Sequence, residues 1–139
     1  MLINNRNHID FLLVGAPKAG TSSVHKYLFQ HPDIFLTEQK ELLFWHLISN
    51  PNKTQADYMN IYIDSLDKYL TLFDAAEPEQ ICGEITPSYL YYHEYVISNL
   101  KKLHPKWQKV KIIIILREPV DKSISHYKFL NTRIGANEK

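Results

Sequence analysis

Apolar positions along this chain follow two periods, and the alternation between them predicts its elements. Phe11 to Gly15 (FLLVG) is a short apolar run closed by glycine, and KVKIIIILR, residues 109–117, is β-branched and nearly continuous. Runs of this kind form strands buried on both faces of a parallel sheet. Between them, TSSVHKYLFQH from Thr21 onward has helical spacing through Val24, Tyr27 and Leu28. HPDIFL predicts a turn and a short strand around Ile34 to Leu36, and a helical segment follows from about Lys40 to Ile48, ended by Pro51. Residues 52–76 place Tyr58, Ile61, Tyr62, Leu66, Tyr69, Leu70 and Phe73 at helical spacing, which predicts two surface helices. ICGEI predicts a third strand. After TPSYLYY, an amphipathic helix from about Glu94 to His104 turns Val96, Ile97, Leu100 and Leu103 inward. Pro119 stands where the first residue of a last helix, VDKSISHYKFL, belongs.

Strands alternating with helices imply right-handed crossovers and a mostly parallel α/β sheet flanked by helices. Ligands of such sheets bind outside the carboxyl ends of the strands. Three of the four expected strands run directly into GAPKAGTSS, EITPSY and REPVDKS. Those three ends are expected to converge on one site.

Composition narrows the picture further. With 139 residues and 45% hydrophobic content the chain suits one domain, residues 1–139. A net charge of +1, from 16 Lys and Arg against 15 Asp and Glu, argues against a nucleic-acid groove or a polybasic membrane patch. Cys82, the one cysteine, excludes an internal disulfide and reads as a small buried strand residue in a reducing compartment. MLINNRNHID lacks the apolar core of a signal peptide, and IIIIL at 112–116 is far short of the roughly 20 residues of a membrane span. A soluble, cytoplasmic protein is expected. The glycosylation pattern Asn52-Lys53-Thr54 is then coincidental. His8, His25, His31, His46, His93, His104 and His126 have no ligand spacing, so no metal site is expected.

Gly15 and Gly20 have the spacing of a Walker loop, G-x-x-x-x-G-K-[ST], but the lysine lies between them at Lys18 and Thr21 follows the second glycine. Backbone N–H groups of such a loop can turn toward one anion, and a helix starting near Thr21 adds partial positive charge. In a Walker loop the Ser/Thr hydroxyl holds Mg²⁺ while the adjacent lysine neutralises the β and γ phosphates. Here Lys18 leans over the loop from its middle, suiting an anion met by protein cations alone; an ordinary strand-to-helix turn with an incidental lysine is the alternative. Arg117, at the end of a strand, can grip a phosphate as a fork, and Ser125, eight residues later, can complete the cage. A surface pairing of Arg117 with Glu118 or Asp121 is the other reading.

Residues 11–23 resemble the loop that holds the 5′-phosphosulfate of 3′-phosphoadenylyl sulfate (PAPS) in sulfotransferases. Residues 110–127 resemble the same family's 3′-phosphate segment, R-[DE]-P-x-x-[RK]-x-x-S. HPDIFLTEQKELLFW is similar to the H-P-x-x…K-E-x-x-F-[FW] stretch of the heparan-sulfate-type branch and its bacterial relatives, and GEITPSYLY to their E-x-[TS]-P-x-Y stretch. The resemblance covers nearly the whole chain but only about the first half of the family's domain, since a later glycine-rich segment that also grips the 3′-phosphate has no counterpart. It implies a P-loop-like parallel sheet, an incomplete sulfotransferase domain cut short at its C-terminus.

Carried over by position, the resemblance places Ala16, Pro17, Lys18, Ala19, Gly20, Thr21 and Ser22 around the phosphosulfate, with Lys18 stabilising the leaving phosphate, and gives Arg117 and Ser125 the 3′-phosphate. It implies PAPS as cosubstrate, no metal, and Glu41 of the K-E-x-x-F-[FW] stretch as the base that deprotonates a hydroxyl or amine acceptor. Some sugar-specific members have histidine two residues after that glutamate, where this chain has Leu43. Lys40 is a candidate helper at the sulfonate. Glu84 is either a second acid in the cleft or, as favoured, a hydrogen-bonded structural carboxylate. Tyr89 and Trp45 either line a pocket or, as aromatics in apolar segments do, fill the core. The acceptor is expected to be carbohydrate-like, with other small molecules, glycans and lipids open. Two other functions stand beside this one: a Mg²⁺-dependent P-loop kinase, and a unit that binds PAPS or its product PAP (3′-phosphoadenosine 5′-phosphate) without turnover.

Overall fold

The computed structural model describes residues 8–50 and 63–136. The Asn52-Lys53-Thr54 pattern and the first part of the 52–76 segment, including Tyr58, Ile61 and Tyr62, lie outside the described residues. Four strands, β1 (Phe11–Gly15), β2 (Ile34–Leu36), β3 (Ile81–Ile85) and β4 (Lys111–Ile114), form one parallel sheet in the order β2-β3-β1-β4. Among the described residues five α-helices accompany them: α1 (Thr21–Phe29), α2 (Phe44–Leu47), α3 (Leu66–Thr71), α4 (His93–Leu103) and α5 (Pro119–Ala136). The expected α/β architecture is present.

Period-two alternation along β1 explains the two cores. Leu12 and Val14 face a large cluster with Phe44, Trp45, Tyr69, Phe73, Cys82, Tyr89, Val96 and Leu100, which α2, α3 and α4 cover. Phe11 and Leu13 face the opposite cluster with Leu36 and Ile85, against which Val24 and Leu28 of α1 pack. All five residues of β1 are buried. The central strand is therefore sandwiched, as its unbroken apolar run predicts.

The other long apolar run behaves differently. Among the described residues β4 pairs only with β1, at the sheet's edge, and Ile112 and Ile114 are 51% and 49% exposed. The expectation that this strand is buried on both faces is corrected. β-branching makes the segment extended, whereas burial depends on what packs against it, and among the described residues nothing covers β4 as helices cover β1.

Two helices also depart from expectation. The predicted helix over Lys40 to Ile48 is reduced to α2, because Glu41 (φ 57) and Leu43 (φ 60) adopt left-handed backbone that interrupts an α-helix. In α4 the buried stripe is Val96, Asn99 and Leu100, while Ile97 and Leu103 face outward. Asn99 takes the inward place because its amide donates to the Trp45 carbonyl and to Ser49 Oγ, both at 2.8 Å. α5 runs beyond its predicted stretch, through the polar residues up to Ala136.

Gly15 is required for space. A Cβ built there would lie 2.9 Å from Leu90 Cβ and 3.1 Å from the Pro87 carbonyl oxygen, where the 3-10 turn Pro87–Leu90 crosses the end of β1. Gly15→Ala is expected to lower stability by about 1–3 kcal/mol through overpacking, read as a lower denaturant midpoint at unchanged slope.

Candidate functional site

The carboxyl ends of β1, β3 and β4 lie side by side. Past β1, Ala16 N–H donates to the Ile115 carbonyl and Ile115 N–H to the Gly15 carbonyl, both at 2.7 Å, so β4 runs alongside the start of the loop. Thr86 N–H donates to the Leu13 carbonyl at 3.1 Å, tying the end of β3 to β1. This is the convergence that the sequence predicts.

Ala16 to Gly20 form a tight turn with an Ala19 N–H to Ala16 carbonyl bond of 3.2 Å. Lys18 has φ 63 and Gly20 φ 99, the latter capping α1. No side chain caps α1 and its first turn holds no acid, so its partial positive charge is not offset locally. Nothing lies within 4 Å of a Cβ built at Gly20, where glycine serves the positive φ and leaves open space. Thr21 is buried and Ser22 exposed at the mouth of the helix. A loop of this shape fits a phosphate-type anion.

Arg117 reaches the same loop. Its Nη1 donates to the Lys18 carbonyl over a long 3.5 Å, placing the guanidinium beside the turn. Glu118 Oε2 accepts from Asp121 N–H at 2.8 Å at the start of α5; backbone bonds from Asp121 and Val120 first, and the Arg117 charge beside it further, hold its pKa below the ordinary carboxylate value. The Lys18 ammonium lies over the Phe129 ring, 4.1 Å from its centroid. Ser125 is one turn before Phe129, on the α5 face that meets Lys18. The loop, Arg117 and Ser125 therefore border one region.

Glu41 belongs to a turn rather than a helix start. Its N–H donates to the Ile85 carbonyl at 3.0 Å, which holds the turn against the end of β3. The neighbouring Lys40 ammonium donates to Ser22 Oγ at 2.9 Å and joins this turn to the phosphate-type loop. A cleft of about 360 Å³, lined by Phe35, Thr37, Glu38, Gln39, Leu42 and Leu72, opens beside the turn but includes none of the loop residues.

Glu84 is structural rather than a free acid in the cleft. It is 1% exposed, and its carboxylate accepts from Thr86 Oγ1 and Tyr89 OH at 2.6 Å each and from Tyr69 OH. Burial raises its pKa while the three hydroxyl donors pull it down. Both tyrosines have pKa values pushed well up, first by burial and then by the Glu84 charge. Trp45 and Tyr89 fill the core, as aromatic residues in apolar segments were expected to do.

Sequence reasoning missed Phe129. Its spacing of four from Ser125 was the available signal. The Lys40 to Ser22 bond, joining residues 18 apart, left no local signal at all.

The chain is similar to known proteins over most of its length. The family model described as "Sulfotransferase domain" matches residues 8–138. The chain is 29% identical over 120 residues to the membrane-associated sulfotransferase kil1 of Dictyostelium discoideum, covering 86% of this chain and 22% of that protein. It is also 29% identical over 116 residues to human heparan sulfate glucosamine 3-O-sulfotransferase 6, covering 84% of this chain and 29% of that protein. The crystal structure of a sulfotransferase from Alicyclobacillus acidocaldarius superposes with a TM-score of 0.75 at 34% identity, over 91% of this chain and 51% of that one. The chain thus spans about a quarter of the length of these two curated relatives and half that of the solved one. No described helix is long and apolar enough to cross a membrane.

Proposed function

The chain belongs to the sulfotransferase family, and on that premise we propose that it transfers a sulfuryl group from PAPS to a hydroxyl or amine of a carbohydrate-like acceptor. The observation that carries this reading is the uncapped start of α1 beneath a loop whose lysine stands in its middle, with Arg117 alongside. PAPS supplies a sulfuryl group already joined to a phosphate leaving group. The loop amides around Gly20 and the hydroxyls of Thr21 and Ser22 hold the 5′ end, with Ala16, Pro17 and Ala19 shaping the turn. Arg117 and Ser125 hold the 3′-phosphate.

Lys18 neutralises charge that develops on the leaving phosphate, for which its ammonium turns from Phe129 toward the loop. Glu41 takes the proton of the attacking hydroxyl or amine. Lys40, anchored on Ser22, adds a cation between base and loop. Catalysis in this scheme is mostly alignment and charge neutralisation by protein cations, without a metal. The acceptor class rests on the K-E-x-x-F-[FW] pattern and on the human relative, whose name specifies a glucosamine of heparan sulfate. Cys82, the one cysteine of the sequence, is buried in β3, which favours a reducing, cytoplasmic setting.

A second reading is a unit that binds PAP or PAPS without turnover, since the Lys18 ammonium is engaged over the Phe129 ring. Either reading takes residues 1–139 as one domain. Calorimetry is expected to show one PAP bound per chain in EDTA, and much weaker binding of ATP with Mg²⁺ in a separate titration without EDTA. ATP binding without PAP binding would return the loop to the kinase class. Transfer of labelled sulfate from PAPS to a panel of sugars separates the enzyme from the binding unit.

A further inference from the structure

Trp45 offers two N–H groups to the protein interior, and both reach Glu84 through a tyrosine. Its backbone N–H donates to Tyr89 OH at 3.2 Å and its indole N–H to Tyr69 OH at 3.0 Å. Each tyrosine then donates its own hydroxyl proton to a different oxygen of Glu84. Every proton in the chain points toward the carboxylate, which accepts throughout and donates nothing. Trp45, Tyr69, Tyr89, Thr86 and Glu84 are all buried, so water cannot substitute for a lost partner.

Trp45 lies four residues after Glu41. Between them, Glu41 and Leu43 hold left-handed backbone, a conformation that non-glycine residues keep only where surrounding contacts impose it. One end of the turn is held by Glu41 N–H on the Ile85 carbonyl, and the other by Trp45. Both anchors trace to adjacent residues of β3, Glu84 and Ile85. The strand that underlies the site thus grips the strained turn at two points.

We propose that Glu84 is a positioning residue for the base: through Tyr89 and Tyr69 it fixes Trp45, and Trp45 fixes the strained turn that presents Lys40 and Glu41 to the loop. This rests on Glu41 being the base. A glutamine at 84 has nearly the same shape, but its amide group is a donor where one tyrosine hydroxyl needs an acceptor, so that hydroxyl is left unsatisfied.

Amide hydrogen exchange and sulfate transfer test this on the full chain. In Glu84→Gln, exchange at the Glu41 and Trp45 amides is expected to accelerate about tenfold or more while Leu12 and Leu13 in β1 stay protected. PAP affinity stays within about twofold, kcat for sulfate transfer falls about tenfold, and that fall disappears in a Glu41→Gln background. Tyr89→Phe, which deletes only the hydroxyl that accepts from Trp45, is expected to loosen the same two amides, and it decides the matter if Glu84→Gln does not fold. Unchanged exchange at Glu41 and Trp45, or equal acceleration across the sheet, overturns the proposal. So does an equal loss of kcat in the Glu41→Gln background. Absence of turnover in the wild-type chain would instead count against the enzyme reading, with the exchange result still deciding the role of Glu84.

Discussion

Glu41→Gln is expected to lower the turnover of sulfate transfer by about 10² to 10⁴, with PAP affinity changed by less than about twofold. The substitution keeps the size of the side chain and removes its ability to take a proton. The turn that carries it is held by backbone, through Glu41 N–H on the Ile85 carbonyl, so the change leaves that anchor in place. Lys40 keeps its bond to Ser22, and the loop keeps its shape. The effect should therefore fall on kcat rather than on nucleotide binding, measured by initial rates across PAPS concentration alongside calorimetry with PAP. Turnover within threefold of wild type would remove Glu41 as the base and direct attention to another proton acceptor near Lys40.

Arg117→Ala is expected to weaken PAP binding by about 2 to 4 kcal/mol, roughly 30- to 1,000-fold, as loss of a charged phosphate partner does. Two features of the structure support so large an effect. The Arg117 guanidinium already stands beside the first loop, 3.5 Å from the Lys18 carbonyl. The β1 to β4 pairing, which continues to Ile115, delivers Arg117 beside Lys18 whatever its side chain does. Because Arg117 is exposed, the substitution costs little in folding, and a loss of affinity can be read as a loss of contact. Comparing PAP with adenosine 5′-phosphate isolates the 3′-phosphate: the variant should bind both with similar weakness, whereas wild type should prefer PAP. Unchanged PAP affinity would move the 3′-phosphate site elsewhere.

Much of the site was legible because its parts are local. Gly15, Lys18, Gly20 and Thr21 occupy one turn, and their spacing carries both the required backbone and the chemistry. Arg117 was legible as a candidate because it closely follows a strand: β4 ends at Ile114 and its pairing at Ile115, which still carries Arg117 to the ligand edge of a parallel sheet. Glu41 is a candidate through resemblance alone; the helical setting expected for it fails because left-handed backbone at two non-glycine residues has no signature in composition or periodicity. The inward turn of Asn99 in α4 was missed for a related reason. Hydrophobic periodicity favours Ile97, and only the Trp45 carbonyl and Ser49 Oγ, 54 and 50 residues away, give an asparagine a reason to be inside.

The sequence by itself determined the strand, loop and helix order, the parallel sheet and the kind of anion the first loop suits. Each follows from interactions between near neighbours in the chain: apolar runs, glycine conformations and the charge at a helix start. Tertiary structure alone decided that β4 stands exposed at the sheet edge, that Lys18 rests on Phe129, and that Glu84 anchors Trp45 from inside the core. Those outcomes depend on partners far apart in sequence, 44 residues between Trp45 and Tyr89 and 99 between Arg117 and Lys18. Burial and hydrogen-bond satisfaction are properties of the packed assembly, so no local pattern can encode them.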